Sequence, residues 1–301
     1  MKPLTAAQHV RRMRGGSQAQ LLRASDSHLY VVKFTNNPQG VRILANDWIA
    51  SRLARRIELP VPEVAAVEIS PWLIRSTPEL FFELSSGRAA CNEGVHFGSR
   101  FAVNPQDGIV TDLLPAACLP RVTNLAAFIG ALVLDKWTCN TDRRQAVYVR
   151  TDDSAGYSAV LIDQGHCFNA TNWNFPDSPL YGLYGSRDVY LQVTSWESFE
   201  PWLTCVETLD AQELLEIANS ASPVWYDHDE LGLAQLVSQL ILRQRYLRRI
   251  IADLEHSTVN PFPNWRQSAS SYAAASASSR ALQKPVPQSR SKTVPINKEK
   301  P

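Results

Sequence analysis

Two aspartates stand where a carboxylate can do work: Asp142 within Asn140-Thr141-Asp142-Arg143-Arg144-Gln145, and Asp163 within Leu161-Ile162-Asp163-Gln164-Gly165. Each adjoins a predicted strand. Such a pair suits phosphoryl transfer, in which one carboxylate orients the attacking hydroxyl and the other holds the magnesium that bridges the phosphates of ATP. On this reading Asp142 is the catalytic group and Asp163 the metal ligand, because hard cations prefer carboxylate oxygen. Upstream, Val31-Val32-Lys33-Phe34 sets a lysine inside an apolar strand, an expensive place for an ammonium without a partner. Before it comes Gly15-Gly16-Ser17-Gln18, whose glycines lack a Cβ and let backbone approach a phosphate closely. No G-K-[ST] follows, so this is not a Walker A loop but a flap over a triphosphate. Gly15, Gly16, Ser17, Gln18 and Lys33 are therefore assigned to nucleotide binding, with Asp47 as the carboxylate partner of Lys33. Plainer readings compete: a solvent-facing strand lysine, a common Gly-Gly-Ser turn, and two aspartates that merely close turns.

The elements that must position these groups are partly legible. Ala19 to Ala24 and Leu29 to Phe34 read as two strands around the polar turn Ser25-Asp26-Ser27-His28. Ile43, Leu44, Trp48, Ile49, Leu53 and Ile57 recur at helical spacing over 41–57, and Pro60 and Pro62 end that helix. Val64 to Ile69 reads as a strand, whereas 97–119 has no clear pattern. Asn124 to Trp137 reads as a core helix capped by Asn124, apolar around most of its circumference. Val147 to Arg150 and Ala159 to Ile162 read as strands joined by the turn 152–156. One aspartate motif precedes this unit and the other follows it, which brings both carboxylates to one side. Helices are predicted over 211–219 and 230–254, the latter with Arg243, Arg245, Arg248 and Arg249 suited to its own C-terminal dipole. Trp196, Phe199 and Trp202 fit core packing or, less simply, a docking surface.

At 301 residues the chain accommodates one large domain or two modest lobes, with a sizeable core. The net charge of +1 conceals an asymmetry: residues 267–301 carry six Lys/Arg and one Glu, which leaves the rest at −4. A mildly acidic body argues against direct nucleic-acid binding. The tail, rich in Ser, Ala, Lys and Pro, lacks large apolar residues and is expected to be disordered. Arg11, Arg12 and Arg14 precede no apolar run, so no secretory signal is expected, and no stretch approaches the roughly 20 apolar residues of a membrane helix. Five cysteines without C-x-x-C spacing read as free thiols of a cytoplasmic protein. The six histidines show no paired zinc-ligand spacing.

Gly15-Gly16-Ser17-Gln18, Tyr30-Val31-Val32-Lys33-Phe34, Leu59-Pro60-Val61-Pro62-Glu63, Asn140-Thr141-Asp142-Arg143 and Ile162-Asp163-Gln164-Gly165 occur in the order of the HipA-like kinases. The chain resembles this bacterial branch of the protein-kinase-like fold over about residues 10–265. The resemblance implies an α+β, two-lobed fold, with a β-rich lobe over 1–95, a mainly helical lobe over 96–266 and the tail over 267–301. It implies an ATP- and magnesium-dependent kinase acting on Ser or Thr of a protein substrate, with an antitoxin-like partner in some members. Lys33 would meet phosphates, Ser17 matches a glycine-loop serine that some relatives autophosphorylate, and His96-Phe97-Gly98-Ser99 takes the place of the adenine hinge. Three departures stand out. Asp47 replaces a longer Glu, the chain is shorter than the full-length toxin kinases, and Val147 stands where H-R-D-x-x-x-x-N carries its metal-binding Asn. Gln145 is the substitute metal ligand. These departures keep open an alternative, a pseudokinase that binds nucleotide or acts as a scaffold without catalysis.

Overall fold

The computed structural model describes residues 2–151 and 155–266. The first strand, β1 (Leu4–Arg12), lies in a stretch that shows no strand pattern in the sequence. Most of its residues face solvent, so alternation is masked, and pairing supplies what propensity does not. It runs antiparallel to β2 (Gln20–Ala24), which pairs with β3 (Leu29–Lys33). The glycine segment is thus the turn of a β1–β2 hairpin rather than a free approach to the first strand.

After α1 (Arg42–Arg56) come β4 (Val64–Ile69), the short α2 (Pro71–Ser76), and a separate hairpin of β5 (Phe81–Leu84) and β6 (Gly87–Ala90). Next, β7 (Gly94–Arg100) pairs with β3 on one side and β4 on the other, while β1 pairs briefly with β4. Five strands therefore close into a barrel of order β1-β2-β3-β7-β4. β7 straddles the boundary expected at 95/96. Its polar and glycine-rich composition, Gly94-Val95-His96-Phe97-Gly98-Ser99-Arg100, hid it; Gly98 is needed because a Cβ there would meet Val67 Cγ2 at 2.6 Å.

β8 (Gly108–Thr111) adds a strand to a sheet of order β10-β9-β8, with β9 (Gln145–Thr151) and β10 (Ser158–Ile162) as the expected antiparallel pair. Residues 152–154 of the turn between them, like the tail over 267–301, lie outside the described residues. Between β8 and β9 lies α3 (Ala127–Thr138), every residue of which is buried. Asn124 does not cap it; the Asn124 side chain instead pairs with the Ala159 backbone in both directions, at 2.8 and 2.9 Å. The remaining helices are α4 (Trp202–Glu207), α5 (Ala211–Asn219), α6 (Glu230–Gln244) and α7 (Leu247–Glu255). The single helix expected over 230–254 is thus broken at Arg245 and Tyr246. Arg243 does not serve its own helix end either: its guanidinium donates to the Lys136 and Trp137 carbonyls at 2.6 and 2.7 Å, closing the C-terminus of α3.

Apolar side chains form two cores. One fills the barrel and includes Leu22, Val32, Phe34, Val67 and Phe82. The larger joins α1, α3 and the later helices. Trp196, Phe199, Phe262 and Trp265 stack against one another with ring centroids 5.1–6.0 Å apart, so the aromatic cluster is packing. Contacts divide the chain after Trp265. No helix among the described residues is long and apolar enough to cross a membrane.

Trp137 is fully buried at the heart of the larger core and donates its indole N–H to the Leu240 carbonyl at 2.9 Å. Trp137→Ala should lower unfolding free energy by about 3–5 kcal/mol, as read by urea denaturation. A change below about 1 kcal/mol would mean that α3 is not the packing centre described.

Candidate active site

Strand β3 delivers the lysine. Its alternation sends Val32 into the barrel core and points Val31 and Lys33 the other way, into a cavity of about 880 Å³. Lys33 Nζ lies 2.7 Å from Asp47 Oδ2 and 2.8 Å from Asp163 Oδ1. The lysine is buried and bridges two carboxylates from distant parts of the chain, so the solvent-facing alternative is excluded. Asp47, one methylene shorter than Glu, reaches the ammonium without difficulty because Gly165 leaves room. A Cβ on Gly165 would sit 2.6 Å from Ile43 Cγ2, 2.9 Å from Asp47 Oδ2 and 3.2 Å from Lys33 Nζ.

The electrostatics follow from this packing. Burial alone would lower the Lys33 pKa, but Asp163 and Asp47 more than reverse it, and the lysine is held charged. Burial likewise works against the Asp163 carboxylate, yet Lys33 outweighs it and holds that group below its ordinary range. For Asp47 the balance goes the other way: burial pushes it up to about 6, with Lys33 pulling back only in part.

The two aspartate loops are placed by residues to which the sequence alone assigned no role, some of them inside the aspartate motifs themselves. α3 ends in a left-handed Cys139, and the Asn140 N–H returns to the Asp135 carbonyl at 2.9 Å, closing the helix in the Schellman manner. Asn140 then bonds the Asp135 carboxylate at 2.9 Å through its amide N–H and accepts from the Asp142 N–H at 3.2 Å. Asp135, fully buried, is gripped by Arg144 through two N–H groups, one of them at 2.8 Å. Arg144 also donates to the Ile162 carbonyl at 3.1 Å and to Gln164 Oε1 at 2.5 Å. Finally the Gln164 N–H reaches Asp47 Oδ1 at 2.9 Å. A continuous polar path therefore runs from Lys33 through Asp47, Gln164, Arg144, Asp135 and Asn140 to Asp142. Asn46, also buried, pins the following loop by donating to the Gly165 and Ala170 carbonyls at 2.8 and 2.7 Å. A buried Asp or Arg is a weak signal on its own; only the partner identifies it.

β9 and β10 pair Gln145 with Ile162, so Gln145 emerges beside Asp163. Gln145 Nε2 lies 3.2 Å from Asp142 Oδ2 and 3.4 Å from Asp163 Oδ2. Three of the residues assigned to chemistry thus converge. Asp163 itself has φ +58, a left-handed conformation uncommon outside glycine and concentrated at functional sites. Val147, in the place of an asparagine, is buried and lines the cavity wall with Val31, Phe97, Leu114, Leu119 and Ile162.

Other assignments separate. Gly15 and Ser17 line the cavity, Gly15 at φ +120 where glycine is required. Gly16 does not line it; a Cβ there would meet Gln39 Nε2 at 2.8 Å, and Gln39 in turn contacts His166. Gln18 turns away altogether, exchanging hydrogen bonds with the Glu83 backbone at 2.7 and 2.8 Å. Of the proposed hinge, Phe97 and Ser99 face the cavity, whereas His96 accepts from the Thr35 N–H at 3.1 Å and packs on Phe34. Strand alternation makes that split unavoidable, and the cavity wall continues through Arg100, Phe101 and Ala102. Among the described residues no group of three His, Cys, Asp or Glu side chains is disposed to hold a metal.

Arg144→Met, which leaves the Asp135 charge buried and unpaired, should destabilise the fold by about 3–5 kcal/mol. The double change Asp135→Leu/Arg144→Met should recover most of that loss in the same denaturation measurement. If the single and double variants are equally unstable, the pair is not the electrostatic unit described.

The HipA-like kinase family matches residues 7–171, more than half of the chain. A search of curated proteins finds no significant match. Among solved structures, the Helicobacter pylori proinflammatory kinase CtkA is similar at 13% identity and a TM-score of 0.50, covering 81% of this chain and 99% of that one. A Golgi casein kinase with Mn/ADP bound is 12% identical at a TM-score of 0.45, covering 83% of this chain and 74% of its own. The hydra Fam20 structure with sugar is 11% identical at 0.42, covering 85% and 86%. The likeness to CtkA is one of fold, a mixed α/β kinase-like architecture. With the family match spanning both the strand lysine and the two aspartate loops, the chain belongs to the HipA-like kinase family.

Proposed function

We propose that this chain is an ATP- and magnesium-dependent phosphotransferase acting on a serine or threonine hydroxyl of a protein. The observation that carries the reading is Lys33 bridging Asp47 and Asp163 at the floor of a cavity that Gly15 and Ser17 line. A charged, immobilised ammonium at such a place matches the phosphate chain of ATP, and the apolar wall formed by Val31, Phe97, Leu114 and Val147 matches a purine. A two-lobed arrangement with the nucleotide between the lobes is supported by the two separate apolar cores.

Asp163 would hold magnesium by its carboxylate, and Gln145, whose Nε2 faces Asp142 and Asp163, would join it by turning its amide oxygen inward. When bound, the ion supplies charge neutralisation between the phosphates. Asp142, half-buried and anchored through Asn140, orients the acceptor hydroxyl and takes up its proton. Asp142 Oδ1 accepts from the Arg143 N–H at 2.7 Å, which fixes the carboxylate plane. Catalysis rests on position and charge, with no covalent enzyme intermediate.

The replacement of asparagine by Val147 favours a second reading, a pseudokinase that binds nucleotide and regulates a partner. The two differ in turnover. A protein acceptor, an antitoxin-like regulator and a cytoplasmic setting belong to the proposal at the same level.

Isothermal titration should give magnesium-dependent ATP binding that Lys33→Ala loses. Asp142→Asn should keep that binding but lose phosphate transfer to protein in a radiolabelled lysate, whereas Asp163→Asn should lose both. Binding without transfer by the unaltered chain selects the nucleotide-binding pseudokinase, and no binding at millimolar ATP removes the kinase reading and leaves a scaffold.

The pH dependence has a definite sign. As pH falls through about 6, Asp47 takes up a proton and a negative charge beside Lys33 is removed while Asp163 keeps the ammonium charged, so the Asp47 contribution to ATP affinity should rise. Asp47→Asn lacks this group. The ratio of unaltered to Asp47→Asn affinity should therefore be lowest above pH 7 and rise toward unity below pH 5, whatever ATP itself does; a ratio constant with pH would refute the linkage.

A further inference from the structure

The glycine turn is held from outside by a hairpin that no part of the phosphotransfer reading uses. Gln18 has φ +47, a conformation a glutamine rarely adopts, and it follows a turn in which its own N–H bonds the Gly15 carbonyl at 3.1 Å. What holds it there is a two-way clasp: Gln18 Nε2 donates to the Glu83 carbonyl at 2.7 Å and Gln18 Oε1 accepts from the Glu83 N–H at 2.8 Å. The amide thus imitates one rung of a β-ladder against the free edge of β5. Gln20, fully buried, backs the clasp with donations to the Gln18 carbonyl at 3.3 Å and the Phe81 carbonyl at 3.5 Å. Arg12 lies 3.2 Å from Glu83 and its guanidinium sits over the Phe81 ring, with Arg88 over the same ring. On its other side the turn meets Gln39, which contacts His166 three residues past Asp163. The turn is therefore wedged between the β5–β6 hairpin and the loop that follows the metal aspartate.

We infer that Gln18 is a positioning residue rather than a phosphate ligand, and that the β5–β6 hairpin, through Gln18, sets the pose of Gly15 and Ser17 over the cavity and with it the affinity for nucleotide. The inference rests on the nucleotide-binding reading of that cavity. The clasp preorganises the turn, so a nucleotide need not order it on binding. Because the partner is backbone, the clasp does not depend on which side chain stands at 83, and only a change that removes the N–H breaks it from that side.

The test uses the full chain, magnesium ATP as the probe, and two readouts. In titration, Gln18→Ala and Glu83→Pro should each weaken ATP binding by about five- to tenfold. Their combination should be no weaker than either alone, since both sever one clasp. Gln18→Gly, which relieves the positive φ but lacks the amide, should stay as weak as Gln18→Ala. In the absence of nucleotide, amide hydrogen exchange over 13–19 should quicken by about tenfold in Gln18→Ala. Where Glu83→Pro unfolds the hairpin, Gln18→Asn, one methylene too short to span, replaces it. Unchanged affinity in Gln18→Ala, multiplicative effects in the double variant, or recovery by Gln18→Gly would each overturn the inference. If the unaltered chain binds no ATP, the nucleotide reading fails, and the exchange measurement still decides whether the clasp holds the turn.

Discussion

Arg144 against Asp135 is the constraint on which the site depends. Both side chains are fully buried, and taking two charges out of water is unfavourable unless every donor and lone pair is met. Here they are. Arg144 spends its donors on Asp135, on the Ile162 carbonyl and on Gln164, while Asp135 also accepts from Asn140. Helix α3, the loop carrying Asp142 and the end of β10 carrying Asp163 are therefore fixed to one another by one guanidinium. Arginine suits this role because its planar fork presents several donors in fixed geometry, which lysine cannot do.

From that pivot the remaining parts follow in sequence. α3 can end sharply because Cys139 adopts the left-handed conformation and Arg243, from α6, meets its last carbonyls. Lys136 is drawn inward to the Ser178, Pro179 and Tyr181 carbonyls, and burial pushes its pKa down to about 8. Gly182 donates back to the Asp142 carbonyl at 3.0 Å. The long aromatic segment after Asp163 thus returns to brace the loop carrying Asp142. Its many positive-φ residues, Phe168, Asn169 and Ala170 among them, are held by Asn46 and by packing rather than by regular secondary structure.

The departures from the family pattern acquire physical meaning in this setting. Asp47 in place of Glu is compensated by close approach of α1 to the Asp163 loop, which Gly165 permits. Val147 in place of Asn leaves its position apolar, but the amide of Gln145, at the start of the same strand, touches both aspartates. The set of polar atoms facing the cavity is therefore rearranged rather than simply reduced.

The sequence by itself determined the local elements next to the assigned residues: the strand that ends at Lys33, the antiparallel pair that Asp142 and Asp163 flank, helices close to 42–56 and 211–219, and the strand 64–69. These were legible because apolar periodicity and breaker residues act locally. Tertiary structure alone decided the rest. β1 and β7 are strands because the barrel supplies partners to segments with little strand pattern, and β8 because β9 offers an edge. Whether Lys33 faced solvent or a pair of carboxylates depended on where α1 and the Asp163 loop came to lie. Gln18 looked like part of a phosphate loop because its neighbours in sequence are glycines, yet strand β5 captures its amide. Asp135 and Asn46 carried no site signal, and Arg144 and Gln164, though inside the aspartate motifs, had no role assigned, for the same reason. A buried polar group is defined by its partner, and partners distant in sequence are brought together only by the fold.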